Sequence, residues 1–198
     1  MHRGRFKLGI DLDGVLVGFV SGFTDLLCHM AAIDPPEIFA PTKWQWYDEL
    51  NLGKPIVRQG WKHVEAHPSF WFNLDPLPNA HEDMKHLRNL ELDGHDLYFI
   101  TNRPFAGAKK QSEAWLAKHG FSNPTVLIAE SKGAIAKGLH LTHFIDDRPE
   151  NCTDVLTSMG IRTKVYLYTQ SYNLSFNDTY IYRSASVTEM LRKEGLIV

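Results

Sequence analysis

Residues 8–18 read LGIDLDGVLVG, an apolar run that ends in two aspartates one residue apart and is followed at once by glycine and a second apolar run. The first run is typical of a buried β-strand. In open α/β sheets, ligands bind in the crevice outside the carboxyl ends of the strands. Asp11 and Asp13 therefore follow a predicted strand at the point where functional side chains are expected.

Similar apolar runs recur along the chain and alternate with segments whose apolar residues are three or four positions apart. The runs predict strands over residues 6–10, 97–101, 125–129, 142–146 and 163–168. The intervening segments predict helices over residues 80–92, 109–120, 131–139 and 150–160, with Gly120 and Gly160 at the expected helix ends. The alternation predicts an α/β fold with a Rossmann-like, doubly wound parallel sheet.

Residues 17–76 break this alternation. Two helix-like stretches, 19–32 and 54–67, flank a segment rich in proline and tryptophan, and no strand of the main sheet is evident. The simplest interpretation is a small helical cap domain, residues 17–76, inserted after the first strand. The core domain then consists of residues 1–16 and 77–198.

The composition excludes several classes of protein. A formal net charge of -2 over 198 residues gives no electrostatic case for nucleic acid or an anionic membrane as a partner. No window approaches the roughly 18 consecutive apolar residues of a membrane span. Cys28 and Cys152 lie far apart without metal-ligand spacing, and the basic N-terminal segment leaves no room for a signal-peptide core. We therefore expect a cytoplasmic protein.

Polar side chains stand at the ends of several predicted strands. Asp11, Thr101 and the pair Asp146 and Asp147 end three of them, and Lys132 follows a fourth. Because parallel strands end at the same edge of a sheet, we expect these groups to meet. Three neighbouring carboxylates repel one another unless a cation or a proton compensates, and Mg²⁺ is a natural partner of carboxylates and phosphate oxygens.

Carboxylates, a metal ion, a lysine and a hydroxyl together suit phosphoryl transfer. One aspartate can attack phosphorus and form an aspartyl-phosphate, while the second protonates the leaving oxygen and later activates water. Each signal also has a structural alternative. An isolated DxDG occurs in turns and calcium loops, DDRPEN can cap a helix, and Lys137 competes with Lys132 for the lysine role.

The motifs also carry a family resemblance. DLDGVL at 11–16 resembles the first motif of the haloacid dehalogenase (HAD) superfamily, and ITNRP, SK and IDDRPEN resemble its later motifs in the right order. The resemblance implies that Asp11 is the nucleophile and Asp13 the general acid and base. It implies Mg²⁺ on Asp11, Asp146 and the Asp13 backbone carbonyl, with Asp147 supporting the site. Phosphate-binding residues are then Thr101, Asn102 and Lys132.

Within the superfamily, the chain most resembles the 5′(3′)-deoxyribonucleotidases, also called type C 5′-nucleotidases. Residues 69–87 resemble the segment that returns the chain from cap to core, although TNRP and DDRPEN depart from the vertebrate enzymes. The resemblance implies hydrolysis of a small phosphomonoester, a nucleoside 5′-monophosphate and preferentially a deoxyribonucleotide. It also implies a homodimer.

Aromatic residues crowd the predicted cap and could stack on a nucleobase. The candidates for ligand contact are Phe19, Trp44, Trp46 and Phe70, and Arg103 could approach an anionic substrate. The alternative is that a small cap needs large side chains for its own core. Two other functions stay open: a phosphatase for a sugar phosphate or another small metabolite, and a non-catalytic protein that binds metal and phosphate.

Overall fold

The computed structural model describes residues 5–37, 39–67, 69–103 and 105–198. Six parallel strands form one sheet in the order β3-β2-β1-β4-β5-β6. Their bounds are β1 Lys7–Ile10, β2 Asp96–Thr101, β3 Thr125–Ile128, β4 His143–Asp146, β5 Lys164–Tyr168 and β6 Ile181–Ser184. This order reverses direction at β1, so the predicted doubly wound α/β fold is confirmed.

Helices connect the strands. The described residues hold α1 Phe19–Met30, α2 Lys54–Ala66, α3 Ser69–Asn73, α4 Ala80–Leu92, α5 Ala108–Lys118, α6 Lys132–Leu139, α7 Pro149–Met159 and α8 Val187–Lys193. The helices from α4 to α7 agree with the predicted ones within two residues at each end. Gly120 follows the end of α5 with φ +91°, a left-handed conformation that glycine adopts without steric cost.

The strand β1 is the centre of the sheet. Leu8 is in register with Leu97 of β2 on one side and with His143 of β4 on the other. Leu8 and Ile10 have no exposed surface, because helices cover both faces of a parallel sheet. The apolar run of the opening stretch reflects this burial.

The sequence did not predict β6 or α8. In β6, Tyr182 is exposed while Ile181 and Ser184 are buried, so IYRS lacks the continuous apolar run that marks the inner strands. This is why periodicity missed it.

Residues 17–76 leave and re-enter the sheet region at one place. The backbone N–H of Gly18 donates to Asp75 O (2.8 Å), and that of Leu77 donates to Leu16 O (2.9 Å). Among the described residues of this range, none lies in a strand of the sheet. Phe23 and Trp46 of this segment belong to the same hydrophobic cluster as Leu8 in β1.

No helix in the described ranges combines the length and apolar character that crossing a membrane requires.

Candidate active site

Three adjacent strands carry the predicted site residues to one edge of the sheet. Thr101 is the last residue of β2, Asp11 follows β1, and Asp146 is the last residue of β4. Because β1 lies between β2 and β4, these side chains stand next to one another. The backbone N–H of Asp11 continues the pairing by donating to Ile145 O at 3.0 Å.

The loop that follows Asp11 depends on Gly14. Its φ is +84°, and a Cβ at this position would lie 2.3 Å from Asp147 Oδ2 and 2.9 Å from Tyr172 Oη. Glycine therefore permits both the turn and the close approach of the Asp147 carboxylate. The glycine of the DLDG stretch is a packing requirement of the site.

We expect Gly14→Ala to destabilise the protein by about 2–5 kcal/mol, from left-handed strain together with steric overlap. The matched control is Gly94→Ala, because Gly94 has φ +87° and, outside its chain neighbours, no atom of the described residues lies within 4 Å of the added methyl group. Urea unfolding of both variants separates the cost of left-handed strain, which both share, from the cost of steric overlap, which only Gly14→Ala has. Equal loss of stability in the two variants would show that contact with Asp147 is unimportant.

Lys132 bridges two of the carboxylates. Its Nζ lies 2.7 Å from Asp11 Oδ1 and 2.6 Å from Asp146 Oδ2, and the residue is 1% exposed. It is the first residue of α6, whose start is fixed by Asp154: Oδ2 accepts a hydrogen bond from Gly133 N at 2.7 Å. The competing residue, Lys137, is exposed. The structure thus brings Lys132 to the strand ends.

Asp146 and Asp147 are anchored by groups that the sequence analysis did not single out. The Asn151 amide donates to both Asp146 oxygens, at 3.0 and 3.1 Å, from the first turn of α7. Tyr172 Oη donates to Asp147 Oδ2, whereas Asp147 Oδ1 is buried and has no hydrogen-bond partner among the described residues. Asn151 lies inside the DDRPEN motif and could have been found there. Tyr172 lies in a loop with no motif of its own.

The electrostatics of the site reflect several buried carboxylates around one lysine. Burial, with the charge of Asp146, raises the pKa of Asp11 to about 7 although Lys132 opposes the rise. Burial and the charges of Asp146 and Asp11 likewise raise the pKa of Asp147 well above its usual range. Burial lowers the pKa of Lys132, but Asp11 and Asp146 outweigh that effect and hold it above its ordinary value. The site therefore has a deficit of positive charge.

Asp13 stands apart from this group. Its Oδ1 and Oδ2 accept hydrogen bonds from Arg103 Nη2 (2.6 Å) and Nε (2.8 Å), and Thr101 Oγ1 lies 3.5 Å from Oδ2. The predicted role of Arg103 was contact with substrate. In the structure its guanidinium is occupied by Asp13.

Comparison with known proteins assigns the family. The model of the family "5′ nucleotidase, deoxy (Pyrimidine), cytosolic type C protein" matches residues 5–194. The chain belongs to this family. The predicted resemblance is thereby confirmed, and with it the assignment to a family of phosphoric monoester hydrolases.

Three relatives of this chain support its assignment to the nucleotidase family. A protein of Oceanobacillus iheyensis, provisionally named a nucleotidase, is 34% identical over 177 residues, which cover 84% of this chain and 88% of the relative. A Bacillus cereus protein with the same provisional name is 29% identical over 63% of this chain and 65% of its own length. The mouse mitochondrial 5′(3′)-deoxyribonucleotidase is 26% identical over 71% of this chain and 64% of the enzyme. In the last two, the match spans just under two thirds of the relative.

A solved structure shows the fold. The HAD family hydrolase from Deinococcus radiodurans R1, which contains bound phosphate and sodium, superposes with a TM-score of 0.60 at 14% identity, covering 98% of each chain. This likeness confirms the predicted HAD-like fold.

A pocket in this nucleotidase-family chain opens over the strand ends. It is lined by Asp11, Asp13, Phe19, Trp44, Trp61, Trp71, Thr101, Asn102, Lys132, Arg148 and Asn151. Two predicted contact residues are placed elsewhere. Trp46 is 1% exposed and its Nε1 donates to Thr24 Oγ1 (3.0 Å), while Phe70 lines a separate cavity with His63. Trp61, Trp71 and Arg148 were not predicted, because nothing in the sequence separates a pocket tryptophan from a core one.

Proposed function

We propose that the protein is an Mg²⁺-dependent phosphatase that hydrolyses nucleoside 5′-monophosphates, preferentially deoxyribonucleotides, through an aspartyl-phosphate on Asp11. The observation that carries the proposal is the position of Lys132 Nζ, which lies within 2.7 Å of both Asp11 and Asp146. Asp11 follows β1 and lines the pocket, as does Lys132. Membership of the type C nucleotidase family supports the substrate class.

We infer the following reaction from the family resemblance, and the positions of these residues support it. A carboxylate oxygen of Asp11 bonds to phosphorus as the bond to the ester oxygen breaks, and Asp13 gives that oxygen a proton. Thr101, Asn102 and Lys132 donate to the phosphoryl oxygens and stabilise their charge. Water then attacks phosphorus, Asp13 takes its proton, and the bond from phosphorus to Asp11 breaks to release phosphate.

The residues present fit Mg²⁺. Oxygens of Asp11, Asp146 and Asp147 lie within 4.8 Å of one another, and all three residues are buried. In the part of the chain that the structure describes, Asp147 Oδ1 lacks a hydrogen-bond partner. Carboxylate oxygens are ligands that this cation prefers, and Lys132 alone does not balance the charge of three buried carboxyl groups. Asp11, Asp146 and the Asp13 backbone carbonyl would hold the ion, with Asp147 supporting the site. When bound, it would neutralise the carboxylates and the phosphate charge.

We expect millimolar Mg²⁺ to raise the midpoint of thermal unfolding and EDTA to reverse the rise, since a ligand at about 100 times its Kd stabilises by roughly 2.7 kcal/mol. Asp146→Asn should lose most of the shift. Asp93→Asn, an exposed position at the end of α4, should retain it. An equal shift in Asp146→Asn would place the cation elsewhere.

The aromatic pocket supports a planar substrate group. Phe19, Trp44, Trp61 and Trp71 line it. The rings of Phe19 and Trp71 stack on each other, 4.9 Å apart, whereas Trp44 is half-buried, with Arg148 Cζ 4.7 Å from the centre of its ring. Base stacking on such side chains contributes about 1–3 kcal/mol per ring. We propose that residues 17–76 act as a cap over the core of residues 1–16 and 77–198, with Phe19 and Trp44 contacting the base.

The test is phosphate release with Mg²⁺ from matched ribonucleotides, deoxyribonucleotides and sugar phosphates. The proposal predicts faster release from deoxyribonucleotides, and Trp44→Ala should raise KM for them more than for ribose 5-phosphate. Preference for sugar phosphates would keep the chemistry and overturn the substrate assignment. Binding of phosphate without release from any substrate would favour a non-catalytic protein.

We also infer a cytoplasmic homodimer. Cys28 and Cys152 are both free and buried, as is common in reducing compartments, and the family resemblance implies the dimer. Sedimentation equilibrium tests the assembly: a mass near twice 22.6 kDa is expected, and a monomer at all concentrations would refute it.

A further inference from the structure

Arg103 and Asp13 form a bidentate ion pair, in which Asp13 lines the pocket and Arg103 lies behind it. Nε and Nη2 of Arg103 donate to different oxygens of the same carboxylate, at 2.8 and 2.6 Å. The planar guanidinium matches the planar carboxylate in this geometry, which fixes orientation as well as distance. Arg103 is 1% exposed, whereas the Asp13 side chain is 15% exposed. The aspartate is therefore the partner that can reach a substrate.

The rest of the Arg103 guanidinium also has contacts within the protein. Nη1 donates to Ser112 Oγ at 3.0 Å, and Ser112 Oγ in turn donates to Ala108 O at 2.8 Å in α5. Cζ lies 4.6 Å from the centre of the Trp71 ring, a cation–π contact. The Trp71 ring is in turn held by the Phe105 ring, which stacks on it with 5.4 Å between the ring centres. The guanidinium is thus immobilised by α5 and by the aromatic residues around α3.

We infer that Arg103 is a positioning residue for the general acid and base rather than a ligand of the substrate. The inference rests on the proposed function. A carboxylate has about four lone-pair sites, so the two bonds to Arg103 leave each oxygen of Asp13 able to hold or give a proton. By fixing both oxygens, Arg103 sets the direction in which Asp13 faces the leaving oxygen.

The role is confined to the proton transfers. As the bond from Asp11 to phosphorus forms and the ester bond breaks, the leaving oxygen takes the proton from Asp13, and Asp13 later recovers one from the attacking water. Arg103 is not among the residues that line the pocket. Loss of Arg103 should therefore affect turnover far more than substrate affinity.

A double-mutant cycle tests the inference. Asp13→Asn and Arg103→Gln should each lower kcat for a deoxyribonucleotide by about 10²–10⁴-fold, the range for loss of general acid–base catalysis. The double variant should be no slower than Asp13→Asn, because Arg103 acts only through Asp13. Losses that multiply would overturn the inference, since a residue that binds substrate or only supports the fold acts independently of Asp13.

A second readout uses the leaving group. p-Nitrophenyl phosphate releases a phenolate that needs little protonation, so Arg103→Gln should slow its hydrolysis at least about tenfold less than that of the nucleotide. Equal losses on both substrates would indicate a general structural defect and overturn the inference. If Arg103→Gln fails to fold, Ser112→Ala retains the guanidinium and should show the same leaving-group pattern at smaller amplitude; no such pattern would also count against it.

The outcomes separate the two hypotheses. An unmodified chain that hydrolyses no phosphomonoester with Mg²⁺ overturns the proposed function and this inference with it. Hydrolysis that Asp13→Asn slows while Arg103→Gln leaves it unchanged overturns this inference alone. A rise in KM for the nucleotide with kcat unchanged would instead identify Arg103 as a substrate ligand.

Discussion

Asp11→Asn should abolish phosphate release while leaving the protein folded. Loss of a catalytic nucleophile lowers turnover by at least about 10³-fold, and an amide oxygen cannot form the covalent intermediate at a useful rate. Asp11 is 5% exposed, and asparagine has nearly the same size as aspartate, so the packing around β1 is retained. Phosphate release and circular dichroism on the same sample check both parts.

The difference in stability between Asp11→Asn and the unmodified chain should increase with pH. Burial and Asp146 raise the folded-state pKa of Asp11 from 3.8 to about 7, so ionisation of Asp11 weakens the folded state. The penalty is absent below pH 3.8, grows as pH rises towards 7 and is constant above it. Asp11→Asn carries no such penalty. In EDTA, its stability relative to the unmodified chain should therefore increase from pH 5 to pH 8.

Asp93→Asn is the matched control, since Asp93 is exposed at the end of α4. It should retain full activity and show no comparable trend with pH. Asp11→Asn with normal turnover would show that another group is the nucleophile. A stability difference that shrinks as pH rises would contradict the electrostatic account of the site.

Lys132→Met should have the largest effect on stability. The substitution leaves Asp11 and Asp146 buried without the ammonium that lies within 2.7 Å of each. Removal of one partner from a buried ion pair costs about 3–5 kcal/mol. Activity should fall too, because no charge at this position stabilises the phosphoryl oxygens. Denaturant unfolding in EDTA, and phosphate release with Mg²⁺, measure the two losses.

Mg²⁺ should stabilise Lys132→Met more than the unmodified chain, because the cation replaces part of the missing positive charge. Lys137→Met is the control: Lys137 is exposed on the same helix, and the change should alter neither stability nor turnover. If Lys137→Met caused the loss and Lys132→Met did not, the lysine role would have to be reassigned.

Much of the site was predictable because parallel topology determines where strands end. Asp11, Thr101 and Asp146 each follow an apolar run, and adjacent strands bring such residues together whatever their separation in sequence. Lys132 could be preferred over Lys137 from the position of the SK turn. The packing contacts were not predictable. Nothing local indicates that Arg103 pairs with Asp13, 90 positions away.

The sequence also does not show which aromatic residues line the pocket. Trp44 and Trp46 are separated by one residue, yet Trp44 lines the pocket and Trp46 is buried against Thr24. The two side chains are chemically identical. Their different exposure depends on how the short helical turn at Trp46–Asp48 packs. Composition predicted that this segment needs large side chains. It could not say which of them remain accessible.

The most direct test of the central claim is to trap the intermediate. A ³²P-labelled deoxyribonucleoside 5′-monophosphate is mixed with the enzyme and Mg²⁺, quenched in acid within milliseconds, and the chain is digested and mapped. We predict transient label on the peptide that contains residues 8–18, at Asp11, and none in Asp11→Asn. Turnover with no label bound to the chain at any quench time, together with hydrolysis that persists in Asp11→Asn, would contradict the account.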